Sequence, residues 1–330
     1  MTAEFRQLTD YDSIRVGIDC WNRTYPSFAI PGRVAVQNVF APFTGVDVTA
    51  WGGFEDNTLV AFALGKRLTT SIPEYTGSEQ GWISLFAVDP AVENRTNVSQ
   101  KLLATVERDM TDFGVSRLRF GGDPGHFLPG VPTELDDLRK TLRQNGFGID
   151  RTFHDLRGTL TEYESPPRIA DVADSWPELA LERVGADAKP LLEFLSDQFP
   201  GRWSYEAENF VRVPGGASEY WLLRNEGETV GFARTNTPNS AYRGGNVNWA
   251  DRLDGTVCGL GPLGVHESYR GRGWGLWLVA SLTERYRDAG YDHMIIDWTD
   301  LAEYYGKLGF EPWLTYETVT KELRATKGAA

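Results

Sequence analysis

The stretch Val265-His266-Glu267-Ser268-Tyr269-Arg270-Gly271-Arg272-Gly273-Trp274-Gly275-Leu276 decides how the chain is read. A short apolar run from Val257 to Val265 leads into it. Beyond it, Leu276, Val279, Ala280, Leu282 and Tyr286 place apolar side chains at helical intervals. The pattern predicts a strand, a glycine loop and a helix. Glycines at 271, 273 and 275 let the backbone turn tightly and aim successive N–H groups into one small volume, where the positive end of the helix dipole adds to them. Such a nest binds an anion, most naturally a phosphate.

The spacing excludes the two best-known phosphate loops. A dinucleotide fold wants G-x-G-x-x-G after a first strand and a nucleotide triphosphatase wants G-x-x-x-x-G-K-[ST], and Gly271-x-Gly273-x-Gly275 is neither. Downstream stands Tyr304-Tyr305-Gly306-Lys307-Leu308-Gly309-Phe310. Arg270-x-x-Gly273-x-Gly275, preceded by Val265 and followed by this segment, resembles the GNAT superfamily of acyl-CoA-dependent N-acyltransferases. The signature of that superfamily is R/Q-x-x-G-x-G/A, with a later F-Y-x-K-x-G-F. The resemblance spans Val257 to Trp313, with both motifs in the family's order.

The resemblance implies an α/β (α+β) fold whose central sheet is mixed, mostly antiparallel, flanked by helices and splayed at a central strand. It implies acetyl-CoA as co-substrate and no metal. The loop Arg270, Gly271, Arg272, Gly273, Trp274 and Gly275 would hold the pyrophosphate through its N–H groups, and a backbone N–H near Leu263, Gly264 and Val265 would meet charge on the carbonyl oxygen. Splaying needs a bulge, and Gly261-Pro262 sits where one is tolerated.

The departing thiolate needs a proton. Tyr305 matches the family's tyrosine acid by its place four residues before Gly309, with Tyr304 as its rival. Adjacent helix residues point about 100° apart, so one of the two faces the sulfur and the other packs as core. For the base, Asp297, Asp300, His266 and Glu267 are near the motifs and none is assigned. Asp300 also suits a cap for the helix at Leu301. Trp298 stands where many relatives carry an asparagine that holds the pantetheine arm.

At 330 residues the chain suits two domains. The sequence reads twice as strand, helix, hairpin, strand, helix, strand, helix, strand, and Glu162 to Pro167, polar and proline-bearing, is the natural joint. This divides the chain into a degenerate GNAT-like domain, 1–162, and a domain with the intact loop, 163–330. Setting Lys101-Leu102-Leu103 against Trp277-Leu278-Val279 places Asn94, Asn97 and Ser99 opposite Arg270, Gly273 and Gly275. A β-carbon penalises positive φ, so the first copy is expected not to bind CoA in the family's manner.

The net charge of −13, from 33 basic and 46 acidic residues, argues against nucleic acid or anionic membrane as partner. No apolar run approaches the ~20 residues that span a bilayer, and the expected location is cytoplasmic. Cys20 and Cys258 lack metal-ligand company and read as buried thiols, while His126, His154, His266 and His293 form no zinc spacing. The function implied is transfer of an acetyl group to a primary amine of a small molecule, the protein acting as a monomer. Alternatives are a relative of mycothiol synthase, also a tandem GNAT enzyme, and a non-catalytic acyl-CoA-binding or sensing protein.

Overall fold

The computed structural model describes residues 3–323. It divides into two compact units, one running to Phe153 and resuming at Thr315, the other His154–Leu314.

The first unit opens with β1 (Glu4–Gln7), α1 (Tyr11–Thr24), α2 (Gly32–Ala35), β2 (Val46–Glu55), β3 (Thr58–Leu68) and β4 (Gln80–Val88). The Asp10 carboxylate accepts the Ser13 N–H at 2.9 Å and so caps α1, satisfying one of the donors that every helix start leaves unpaired. Then come α3 (Arg95–Asp112), β5 (Arg117–Phe120), β6 (Val131–Pro132) and α4 (Asp136–Gln144). The strands pair in the order β1-β2-β3-β4-β5, antiparallel except for β4 and β5. The buried run of β4 is nearly all apolar, as a strand covered on both faces requires. The residues from Val319 to Glu322 pair antiparallel with β5.

The second unit takes the end of β7 (Gly148–Thr159), then α5 (Pro167–Ser175), β8 (Ala180–Arg183), α6 (Lys189–Gln198), α7 (Arg202–Val211), β9 (Tyr220–Asn225) and β10 (Glu228–Asn236). It continues with β11 (Val257–Val265), α8 (Trp274–Asp288), β12 (His293–Thr299), α9 (Ala302–Gly306) and the start of β13 (Glu311–Glu322). Its pairing order is β7-β12-β11-β10-β9-β8, with β11 and β12 parallel and all other neighbours antiparallel.

One face of this sheet packs Leu260, Met294 and Ile296 against Leu278, Val279 and Leu282 of α8. On the other face Phe232 meets Phe194 of α6, Phe199 just past its end and Trp203 at the start of α7. Strand alternation therefore places Arg234 and Asn236 with Phe232. Thr235 turns to α8, where its hydroxyl accepts from Tyr286 at 2.8 Å.

Each half of the sequence ends in a strand that pairs in the other unit's sheet. The end of β7 pairs with β12, and the end of β13 pairs with β5. The contiguous halves 1–162 and 163–330 thus differ from the compact units by exchange of their final strands. Sheet partners are set by non-local pairing that local sequence does not record. Helical segments also lie in three stretches to which the sequence assigns no helix. The Pro- and Gly-rich stretch Tyr25 to Val46 contains α2 and a π turn, Val36–Phe40, which bury Val34, Ala35 and Val39. α5 starts directly after Pro166, with Pro167 in the first turn, where its missing N–H is harmless. α7 begins at a Gly201 of φ 94°.

Candidate active site

The loop after β11 is built by three local devices. His266 Nδ1 accepts the Ser268 N–H at 3.0 Å and starts a single 3₁₀ turn, Glu267–Tyr269. Arg270 Nε donates to the Val265 carbonyl at 3.0 Å, tying the strand's end to the loop. Gly271 and Gly273 then take φ of 80° and 81°, a conformation that costs a residue with a β-carbon ~1–2 kcal/mol. Gly273 caps α8, whose first helical bond runs from Trp277 N–H to Gly273 O at 3.0 Å. The N–H groups of Trp274, Gly275 and Leu276 precede that bond and point out of the helix end.

The space around these glycines is graded. A β-carbon on Gly271 would meet nothing within 4 Å, one on Gly273 would lie 2.8 Å from Val172 Cγ2 of α5, and one on Gly275 would lie 2.5 Å from the Tyr304 hydroxyl oxygen. The cradle is open at Gly271 and close-walled at the other two. Backbone donors, a helix N-terminus and three bare positions suit a diphosphate. The side chain of Trp274 is core, stacked on Tyr269 at 5.2 Å, so this residue offers a ligand only its backbone. Arg272 is exposed beside the rings of Trp176, Tyr269 and Trp274, at 5.1 to 5.3 Å.

Beside the loop the two parallel strands part. Their pairing ends at Gly259 opposite Ile295. Against β10, Ala233 faces Leu263 and Thr235 faces Leu260, so β11 carries one extra residue there, at Gly261-Pro262. Gly261 has φ 141° and the bond to Pro262 is cis. This is the bulge that the sequence placed at those residues. Beyond it Leu263, Gly264 and Val265 pair back onto Ala233, Phe232 and Gly231.

A second bulge lies opposite and was not anticipated. Against β7, Ile296 faces Leu156 and Thr299 faces His154, which leaves one extra residue in β12 at Asp297-Trp298. Trp298 has φ 47°, a backbone state that persists only where its surroundings hold it. Here the holder is Asp155, buried to 2 % exposure, whose carboxylate accepts the Trp298 N–H at 3.0 Å. The Arg202 guanidinium lies 4.2 Å over the indole. Asp297 is half-buried, and its Oδ1 stands 3.3 Å from where a β-carbon on Gly261 would be.

The two tyrosines diverge. Tyr305 is 7 % exposed among Leu156, Leu260, Ile296 and Leu308. Burial pushes its pKa well above the ordinary phenol value, with Tyr304 and Asp297 adding in the same direction, so at neutral pH it holds its proton. Tyr304, its ring edge-on at 5.1 Å, is half-buried, and burial raises its pKa too. Its hydroxyl stands at Gly275 and the loop, whereas the sequence assigned core packing to whichever tyrosine did not face the sulfur.

Asp300 does not cap α9. The Leu301 N–H bonds instead to the hydroxyl of Thr299, two residues back, at 3.0 Å. Cys20 and Cys258 are buried free thiols, and desolvation raises the Cys20 pKa to about 11. Among the described residues no three His, Cys, Asp or Glu side chains converge as a metal site, and no helix is long and apolar enough to cross a membrane.

The first unit lacks this apparatus for a visible reason. α3 begins at Arg95, the position opposite Gly271, so Asn97 and Ser99 lie inside a helix, with β-carbons where the second copy has glycine. Its parallel strands β4 and β5 stop pairing at Ile83 and Phe120. Just beyond, Lys66 and Asp123, both wholly buried, form an ion pair at 2.7 Å, and Lys66 also donates to the carbonyls of Pro124 and Gly125.

Residues 188–310 match the acetyltransferase (GNAT) family. No curated protein matches the chain in sequence. Among solved structures, the glucosamine N-acetyltransferase region of a fungal multi-domain GH3 β-N-acetylglucosaminidase superposes with a TM-score of 0.82 at 19 % identity. That match covers 97 % of this chain and 38 % of the fungal one. A tandem GNAT protein from the clavulanic acid biosynthesis pathway superposes at 0.65 with 15 % identity, covering 98 % and 99 % of the two chains. A GCN5-related N-acetyltransferase from Sphaerobacter thermophilus gives 0.62 with 14 % identity, covering 97 % and 96 %. At such identities the structures speak for the fold, and the family match is confined to residues 188–310. Residues 188–310 are thus similar to a GNAT acetyltransferase domain, and over nearly its whole length the chain shares the fold of a tandem GNAT protein.

Proposed function

We propose that the second unit moves an acetyl group from acetyl-CoA to the primary amine of a small molecule. The observation that carries this reading is the left-handed Gly271-Gly273 nest at the start of α8, set beside a bulged β11. Acetyl-CoA supplies an acyl group activated as a thioester. The N–H groups of Gly271 to Gly275 hold its pyrophosphate, with Arg270 fixing the loop and Arg272 adding positive field. The backbone of Leu263, Gly264 and Val265, freed from β12 by the splay, orients the thioester and meets the carbonyl oxygen as charge builds there. Tyr305, kept protonated by burial, gives its proton to the departing thiolate.

An amino sugar heads the list of acceptors, because the fungal neighbour is described as a glucosamine N-acetyltransferase region. The first unit, with a helix where the nest would be and an ion pair where its strands part, acts as scaffold. Thiol release from acetyl-CoA across a panel of amines, with mass spectrometry of the products, tests the reading. Turnover with amines and none with alcohols is expected. CoA binding without thiol release for any amine would make the protein a binder.

A further inference from the structure

On the acetyltransferase reading, the acceptor must approach the parted strands, and the face of the sheet that carries Phe232 is furnished for it. Gly259 and Gly261 leave β11 without side chains there. Over Gly259 lies the carboxamide of Asn246, from the turn Gly245–Val247 that packs on both β11 and β12. Asn246 is 4 % exposed, and its Oδ1 is buried without any hydrogen-bond partner. A buried acceptor left unpaired costs roughly 1–3 kcal/mol, so a side chain held in that state points to a donor arriving from outside. Its Nδ2 stands 3.9 Å from where a β-carbon on Gly261 would be, and Asp297 Oδ1 stands 3.3 Å from the same point. The β12 bulge, pinned by Asp155, aims Asp297 at this strip.

We propose that Asp297 and Asn246 form the acceptor subsite: Asp297 receives the substrate's ammonium group and takes its proton, while Asn246 Oδ1 accepts from a hydroxyl next to that amine. The preferred acceptor is thus a vicinal amino alcohol. The ammonium loses one proton to Asp297, which passes it to solvent, and the freed nitrogen lone pair forms the C–N bond. As the C–S bond breaks, Tyr305 protonates the thiolate, and the second proton shed by nitrogen restores Tyr305.

Wild type, Asp297→Asn, Asp297→Glu and Asn246→Leu are assayed with acetyl-CoA against glucosamine, an amino alcohol, and cyclohexylamine, a plain amine. CoA titration calorimetry and thermal melting accompany the kinetics. Asp297→Asn is expected to lower kcat/KM about 10²-fold or more on both amines with CoA affinity intact, and Asp297→Glu to recover part of it. Asn246→Leu is expected to lower kcat/KM for glucosamine about tenfold or more and to leave cyclohexylamine within about threefold. Full activity in Asp297→Asn, or equal losses on both amines in Asn246→Leu, overturns the subsite and leaves the acetyltransferase reading standing. Wild type that binds CoA yet acetylates neither amine overturns both.

Discussion

Replacing Gly273 by alanine tests the cradle most directly. An alanine at φ 81° costs ~1–2 kcal/mol, and its β-carbon would lie 2.8 Å from Val172 Cγ2, which adds a contact that must be relieved. For a unit of this size 1 kcal/mol moves the melting temperature by roughly 2–4 °C, so a fall of about 2–8 °C is expected. If the loop escapes the strain by rotating, it withdraws one charge-assisted N–H bond of ~1.5–3 kcal/mol, and CoA binding weakens about 10- to 10²-fold. Gly290→Ala is the matched control. Its φ is 85°, nothing lies within 4 Å of an added β-carbon, and it sits past the opposite end of α8, so it should lose stability and keep CoA affinity. Adding Val172→Ala to Gly273→Ala should restore the contact part of the stability and little of the affinity. Melting and CoA titration calorimetry read both quantities. Gly273→Ala binding CoA within twofold of wild type, or Gly290→Ala weakening it equally, would refute the reasoning.

Tyr305→Phe should lower kcat about 10²-fold with CoA affinity retained, whereas Tyr304→Phe should keep turnover within a few-fold; single-turnover kinetics separates the rivals. Lys66→Met leaves the buried Asp123 carboxylate without its cation and should destabilise the first unit by ~3–5 kcal/mol in urea melts, without changing CoA affinity. Glu317 is held below the usual carboxylate range first by its hydrogen bonds from Arg139, then by Arg143. A folded value depressed below the unfolded one means that its contribution is complete above the ordinary glutamate pKa near ~4.3, and is lost as pH falls through the lower folded value. Acid titration of the melting temperature should therefore show a decline below that point which Glu317→Gln flattens.

What was legible beforehand is what depends on short spans of chain. The nest was legible because it consists of consecutive residues whose lack of β-carbons is written in the sequence. So was the β11 bulge, since Gly261-Pro262 can sit in few other sheet positions. The β12 bulge was hidden because Asp297-Trp298 looks like ordinary strand; the buried Asp155 of another strand holds it. Asn246 was hidden because the segment between β10 and β11 has no periodicity, and its carboxamide gains meaning only over Gly259. Tyr304 looked like core until the hydroxyl was found at Gly275.

By itself the sequence determined the glycine loop, the strand and helix that flank it and the loss of its glycines in the first copy, since each follows from local backbone freedom and side-chain period. Tertiary structure alone decided which strands close which sheet, where Asp297 points and why the first copy's parted strands hold Lys66 and Asp123. Those outcomes depend on residues far apart in the chain meeting at one place, and pairing and burial over such distances leave no periodic mark on the sequence.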